Sequence, residues 1–173
     1  MTTTIEIVPL PPRPPFPNNP QLPVIVYRAA FELPAHGDAA RPIEERFERN
    51  GWGGGWRDGV YDYHHFHSTA HEVLGCYSGH AALMLGGPDG VRVELGRGDV
   101  IVLPAGGAHK SIETSPDFKV VGAYAESREY DMRRGDPKET EAAERAIAEV
   151  PIPKLDPVQG ADGALREHWT TRA

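Results

Sequence analysis

Cysteine is almost absent from this sequence, since Cys76 is the single one among 173 residues. An internal disulfide is therefore excluded, and so is a zinc site built from several cysteines. Any metal ion that the protein binds must rest on histidine and carboxylate ligands.

An excess of positive charge is also lacking. Lysine and arginine number 18 against 25 for aspartate and glutamate, which gives a formal net charge of −7. A partner with a phosphate backbone would require a basic face on the protein. We therefore expect no nucleic-acid partner.

Long hydrophobic runs are missing as well. The opening segment, "MTTTIEIVPLPPRPP", holds no apolar region of the length that a secretory signal needs, and no later stretch approaches a membrane-spanning run. We expect a cytoplasmic protein without a membrane partner.

Proline and glycine are plentiful and divide the chain into three parts, within a length that fits one domain. Residues 1–23 are rich in proline, which fixes φ and removes amide donors, so they predict an extended arm. This arm either is disordered or packs against the domain or a neighbouring subunit. Its apolar anchors are Leu10, Phe16 and Leu22.

Residues 24–130 hold short strand-like runs between glycine-rich turns, which predict an antiparallel sandwich or barrel. Residues 131–173 predict a helix and an extended tail packed on the barrel.

Two segments favour helices. "RPIEERFERNGW", residues 41–52, has a proline suited to the first turn and an Asn-Gly pair to end the helix. "KETEAAERAIAEV", residues 138–150, is helical by propensity. The charged run "REYDMRRGD" between them predicts a solvated surface, with Asp131 and Arg133 as an exposed pair.

A histidine-rich stretch, "GVYDYHHFHSTAHEVLGCYSG", begins at Gly59. Side chains alternate on a strand, so His65 and His67 share one face and His64 points away. The odd spacing from His67 to Glu72 requires a bend or bulge in "STAH" if the carboxylate is to join them.

A distant ligand follows the turn in "GDVIVLPAGGAHK", where His109 can point back toward the first two histidines. Three imidazoles and one carboxylate leave one or two open positions on a six-coordinate metal ion. A catalytic or ligand-binding site needs such open positions, whereas a structural site does not.

These spacings resemble the two motifs of the cupin superfamily. The pattern G-x5-H-x-H-x4-E-x6-G spans residues 59–79, and G-x5-P-x-G-x2-H begins at Gly98 and ends at His109, with the motif region reaching residue 113. Further segments resemble the small single-cupin proteins of the YjlB-like group. The specified positions are Gly59, His65, His67, Glu72, Gly79, Gly98, Pro104, Gly106 and His109.

The resemblance implies an all-β cupin jelly-roll β-barrel (double-stranded β-helix) with a few peripheral helices and extended terminal arms. It also implies one divalent metal ion, Fe, Mn, Ni or Zn, between four ligands. Those ligands are His65, His67, Glu72 and His109. The second motif usually ends in Asn, and here Glu113 stands in that place, which puts the local hydrogen bonding in doubt but leaves the ligands untouched.

Four further residues are candidates for the pocket. Tyr61 and Tyr63 share the ligand face, where they either offer hydroxyls or fill the interior. Cys76 lies an even number of residues after Glu72, so on a strand both side chains point to the same face. Its thiol is either buried and inert or reactive. Glu113 is either a pocket acid or a solvated strand end.

His71 and the tryptophans receive structural interpretations. His71 is expected to support the ligands from outside the metal's own shell. The three tryptophans, at positions 52, 56 and 169, are expected to pack at the arms and rim.

Two functions from different classes fit this sequence. The first is a metal-dependent enzyme, dioxygenase-like or isomerase-like, acting on a small polar, oxygen-rich molecule. The alternative is a non-catalytic cupin that binds or senses a small molecule. In either case the proline-rich arm and open sheet edges predict a homodimer.

Overall fold

The structure is a computed structural model that describes residues 2–171. The strands are β1 (Thr4–Leu10), β2 (Asn19–Arg28), β3 (Trp52–Asp58), β4 (Glu72–Ser78), β5 (His80–Leu85), β6 (Val91–Gly96), β7 (Val100–Leu103), β8 (His109–Thr114) and β9 (Lys119–Ala125). The helices are α1 (Arg41–Arg49), α2 (Thr140–Glu149) and α3 (Ala164–His168), and a single 3-10 turn (Pro137–Glu139) precedes α2.

Two antiparallel sheets form the body of the protein. The larger sheet has the strand order β1-β2-β7-β4-β9-β3, and the smaller has the order β6-β5-β8. Apolar side chains from both sheets meet in one buried cluster, which includes Val26, Leu74, Leu83 and Leu95. The protein is therefore the predicted all-β jelly roll.

The outer face of the larger sheet is also buried. Ile43 and Phe47 of α1 and Leu165 of α3 belong to a second core cluster with outward-facing residues of β2, β4, β7 and β9. This explains why segments such as "VIVL" are apolar at every position instead of alternating. Gly75 is required beneath α1, because a Cβ atom there would lie 2.7 Å from Ile43 Cγ2.

The proline-rich N-terminal segment packs on the body. Residues 4–10 form strand β1, which pairs with β2 along its length. Leu10, Phe16 and Leu22 are all buried, so the packed alternative for the arm holds within the described residues. The division of the chain at residues 23 and 130 stays a prediction.

The two predicted helices are present as α1 and α2. Pro42 lies in the first turn of α1, and Gly51 follows its end with a φ of +80°. Helix α3 lies in the segment that was predicted to be an extended tail. Within residues 2–171, no helix combines the length and apolar character needed to cross a membrane.

Candidate functional site

His65 and His109 form a cross-strand pair at the end of the smaller sheet. The His65 amide donates to the His109 carbonyl at 3.2 Å, and the His109 amide donates to the His65 carbonyl at 2.9 Å. Residues directly opposite one another on antiparallel strands place their side chains side by side. The two imidazole rings accordingly lie 4.1 Å apart, centroid to centroid.

Glu72 joins the histidines through the bend that the sequence requires. The chain bends at residues 68–69, and β4 begins at Glu72, opposite Leu103 of β7 and Tyr124 of β9. The Glu72 carboxylate is buried, with Oε2 2.6 Å from His67 Nε2 and Oε1 3.6 Å from His109 Nε2.

Backbone carbonyls fix the tautomer of each histidine. His65 Nδ1 lies 3.0 Å from the Tyr63 carbonyl oxygen, and His109 Nδ1 lies 3.0 Å from that of Gly107. His67 Nδ1 contacts the carbonyl oxygen of Asp131 in the same way. A carbonyl only accepts, so each Nδ1 carries the proton, and the Nε2 of a neutral ring keeps its lone pair.

The donor atoms of the three histidines converge on one point. All three rings are buried, and their available ligand atoms lie within 4.8 Å of one another. Ligand atoms about 2.1 Å from a common ion lie at most about 4 Å apart. The three histidines therefore need only a small adjustment to share an ion.

The carboxylate gives an independent sign of a missing partner. Glu72 Oε2 is buried and accepts no hydrogen bond from any described residue. Its nearest neighbour, His67 Nε2, offers a lone pair when the ring is neutral, so the contact is favourable only with a proton or a cation between them. Imidazole nitrogens with one carboxylate are a ligand set of divalent transition metals. The residues present thus fit such an ion.

Burial and mutual charge shift the pKa values of this cluster. Burial, followed by the neighbouring His109, lowers the pKa of His65 to about 3, so this ring is neutral. Burial opposes charge on Glu72, but His67 and His109 outweigh it and hold the carboxyl pKa below its usual range. For His67 the burial effect is outweighed by Glu72, and the pKa rises.

The cluster forms part of the wall of a cavity of about 370 Å³ that opens to solvent. Its lining residues are Trp56, Arg57, Asp58, Gly59, Val60, Tyr61, His65, His67, Glu72, His109, Tyr124, Tyr130 and Met132. Trp56 fits into this wall because Gly122 lies opposite it, where a Cβ atom would be 2.2 Å from the indole ring. Trp56 Nε1 donates to the Tyr124 hydroxyl at 3.0 Å.

The segment after β9 contributes to the site in a way that its charge pattern did not indicate. Tyr130 and Met132 line the cavity. The carboxylate of Asp131 accepts from the amide and hydroxyl of Ser68 and from Arg133, so it ties this segment to the bend beside His67. The predicted Asp131–Arg133 pair exists, but both side chains are only partly exposed.

His71 supports the site from behind. Its Nδ1 accepts from the Ala105 amide at 2.8 Å, and its Nε2 faces the Pro151 carbonyl at 3.1 Å. The ring is therefore a neutral bridge between β4, the turn that leads to His109, and the C-terminal segment. Burial lowers its pKa to about 4.

The remaining pocket candidates are placed differently from one another. Tyr61 lines the cavity, and Tyr63 stacks on it outside the wall. Cys76 lies in the apolar cluster between the sheets, where burial raises its pKa to about 12, so it is a buried inert thiol. Glu113 is exposed and pairs with Arg92 at 3.0 Å on the outer surface. The pocket alternatives for Cys76 and Glu113 are thus wrong, because other parts of the fold hold both side chains.

The positions of His64 and the three tryptophans complete the placement. His64 packs its ring against Phe16 and lies only half-buried, away from the cavity wall. Trp52 and Trp169 are buried packing residues, as expected. Trp56, in contrast, belongs to the cavity wall.

Comparison with known proteins gives one extensive match. No family model matches the chain. The chain is 40% identical over 153 residues to the uncharacterized protein YjlB of Bacillus subtilis (strain 168). The aligned region covers 88% of this chain and 89% of that protein.

Several solved structures resemble parts of the chain. Acireductone dioxygenase from Bacillus anthracis, with a cadmium ion in its active centre, is 24% identical over 52% of this chain and 60% of its own, with a TM-score of 0.37. The epimerase RmlC from Legionella pneumophila is 15% identical over 74% of each chain, with a TM-score of 0.39. The ketoisomerase QdtA from Thermoanaerobacterium thermosaccharolyticum is 17% identical over 53% of this chain and 70% of its own, with a TM-score of 0.40. At such TM-scores these likenesses carry no argument about the reaction.

Proposed function

Since the chain belongs to the cupin family, within its YjlB-like group, we propose that it is a metal-dependent enzyme acting on a small, polar, oxygen-rich molecule. One divalent ion, Fe, Mn, Ni or Zn, would be held by four side chains. These are His65, His67, Glu72 and His109.

One observation carries the proposal. Three buried imidazoles converge beside the buried Glu72 carboxylate, whose Oε2 accepts no hydrogen bond while the His67 ring is neutral, in the wall of an open cavity. This arrangement is unfavourable unless a proton or a metal cation lies between His67 and Glu72, because buried polar atoms need partners. Four protein ligands leave room for one or two more at a six-coordinate ion, and the cavity gives a small molecule access to them.

The chain's own residues prepare this site for chemistry. A bound divalent ion supplies a Lewis acid or a redox centre. The backbone carbonyls of Tyr63, Gly107 and Asp131 hold the imidazoles in the required tautomer before anything binds. Burial, followed by the charge of Glu72, raises the pKa of Tyr124, so this phenol keeps its proton beside the site.

Metal analysis tests the ligand set. Protein purified without an affinity tag and loaded with each of the four metals should hold about one ion per chain by mass spectrometry. His65→Ala and His109→Ala should each lower the content sharply while circular dichroism shows an intact fold. His80→Ala, an exposed histidine on β5, is the matched control and should keep the ion. A full metal content in the double variant at 65 and 109 would contradict the proposed site.

Turnover separates the enzyme from the non-catalytic alternative. Compounds that shift the thermal unfolding of the loaded protein should be followed by oxygen uptake and product analysis with each metal. Conversion of at least one ligand supports an enzyme. Ligands that bind through the metal yet stay unchanged with every ion would favour a binding or sensing module. Location in the cytoplasm and assembly as a homodimer remain predictions from the sequence.

A further inference from the structure

Two stacked tyrosine pairs lie beside the histidine cluster. Tyr124 and Tyr130 stack with their ring centroids 4.3 Å apart and their planes 17° apart, and Tyr130 lies 5.0 Å from the ring of His67. Tyr61 and Tyr63 stack at 4.9 Å and 19°, and Tyr61 lies 5.3 Å from the ring of His65. Each metal-facing histidine of the first motif therefore has an aromatic stack next to it.

The outer members of these stacks are left open to solvent. Tyr61 is 55% exposed and Tyr130 is 49% exposed, and the neighbouring Met132 is 40% exposed. Among the described residues, large apolar side chains with this much exposure are few, and these three all line the cavity. Exposed apolar surface gathered at one concave place indicates a binding surface for an apolar group.

The second tyrosine of each stack, Tyr124 or Tyr63, is held in place by a neighbouring side chain. Tyr124 accepts a hydrogen bond from Trp56, and Tyr63 is covered on a ring face by the Arg134 guanidinium, 3.8 Å from the centroid. Flat rings that are fixed in place lose little side-chain entropy when a ligand stacks on them.

The charges at the cavity disfavour a strongly anionic ligand. Along the described cavity wall, the one lysine or arginine is Arg57, and its guanidinium is already bound to Asp38 and Glu44. Asp58 lies in the same wall, and the nearby Lys119 ammonium, 3.4 Å from Asp58 Oδ1, is paired with it. A phosphoryl group would find no free cationic side chain there to neutralise it.

We propose that the cavity binds a planar aromatic compound whose two adjacent oxygen atoms chelate the metal while its ring stacks on Tyr130 or Tyr61. This inference rests on the proposed metal site. It narrows the proposed substrate class from oxygen-rich molecules in general to flat, conjugated ones. Sugar phosphates are excluded from that class.

Matched chelators test the proposal. The zinc-loaded protein is titrated by calorimetry with benzohydroxamate, cyclohexanecarbohydroxamate and acetohydroxamate, which share one chelating group and differ in the group attached to it. Benzohydroxamate should bind about ten-fold more tightly than either of the others, as aromatic stacking predicts. Glucose 6-phosphate at equal concentration should not compete with it.

Variants assign the effect to the stacks. Tyr130→Leu, which keeps an apolar side chain but loses the flat ring, should reduce the preference for benzohydroxamate to below about three-fold, or Tyr61→Leu should do so. Zinc content and acetohydroxamate affinity should stay unchanged in both. Ile112→Leu, an exposed apolar residue outside the cavity, is the control.

Two results would overturn the inference in distinguishable ways. Equal affinities for the aromatic and the cyclohexane compound, in protein that holds zinc and binds acetohydroxamate, would refute the aromatic substrate class and leave the metal site standing. Failure of the protein to hold zinc, iron, manganese or nickel would refute the metal site and this inference together.

Discussion

Acidification should destabilise the metal-free protein through His71. This ring accepts a hydrogen bond from the Ala105 amide and contacts the Pro151 carbonyl through its other nitrogen. A second proton on the ring would turn the accepting nitrogen into a donor facing another donor. Protonation of His71 should therefore break the link between β4 and the turn that carries His109.

The pKa of His71 gives the size and direction of the effect. Burial lowers that pKa from 6.5 to about 4 in the folded state. Between these values the unfolded chain binds the proton and the folded chain does not, so the free energy of unfolding falls as the pH falls through this window. The full contribution is present above pH 6.5 and amounts to about 3 kcal/mol, since one pKa unit is worth about 1.4 kcal/mol.

Chemical denaturation of the wild type and His71→Gln measures this contribution. Unfolding midpoints are taken in guanidinium chloride with a chelator at several values between pH 4 and 7. The variant should be less stable by about 1–3 kcal/mol at pH 7, where the buried hydrogen bonds are disturbed. It should also lose part of the wild-type pH dependence. Parallel pH profiles for the two proteins would refute the assignment of this proton to His71.

Three further predictions concern the Asp131 contact, the packing of Trp56 and the oligomeric state. Asp131→Ala should weaken metal affinity about 10- to 100-fold, because the segment that fixes His67 loses its anchor at Ser68, and the control Asp162→Ala should leave the affinity unchanged. Equal affinities of wild-type and Asp131→Ala protein in a competition titration with a chelator would contradict this prediction. Gly122→Val should displace Trp56 from the cavity wall, change the wavelength of the tryptophan fluorescence maximum and lower the melting temperature. An unchanged spectrum and an unchanged melting temperature would contradict the observed packing. Light scattering of the intact chain should give the mass of a dimer, and a monomer mass would end that prediction.

The clustering of the candidate ligands could be predicted, because the spacing of three of them is local. His65, His67 and Glu72 fall within one short stretch, where strand alternation and a required bend fix their relations. His109 was recognisable from its glycine-rich turn and from the resemblance to the second cupin motif. The burial of both faces of the larger sheet was not predicted, although an apolar run such as "VIVL" is typical of a strand that is covered on both faces.

Beyond Tyr61 and the histidine cluster, the cavity wall could not be predicted, because it depends on the return of the chain from a distance. Tyr130 and Asp131 lie far from His67 in the sequence, and the contact to the His67 ring uses a backbone carbonyl, which any residue type provides. Strand β3 escaped prediction because its centre is Gly53–Gly55, a run that resembles a loop. The five residues of α3 are too few for a helical period to show.

A zinc-edge anomalous difference map from crystals of the zinc-loaded protein tests the central claim most directly. The account predicts one strong peak, with the ion about 2.1 Å from Nε2 of His65, His67 and His109 and at a similar distance from a Glu72 oxygen. The same crystals of His109→Ala protein should show a weaker peak or none. A peak elsewhere, such as at exposed histidines, with no density between these four residues would contradict the claim.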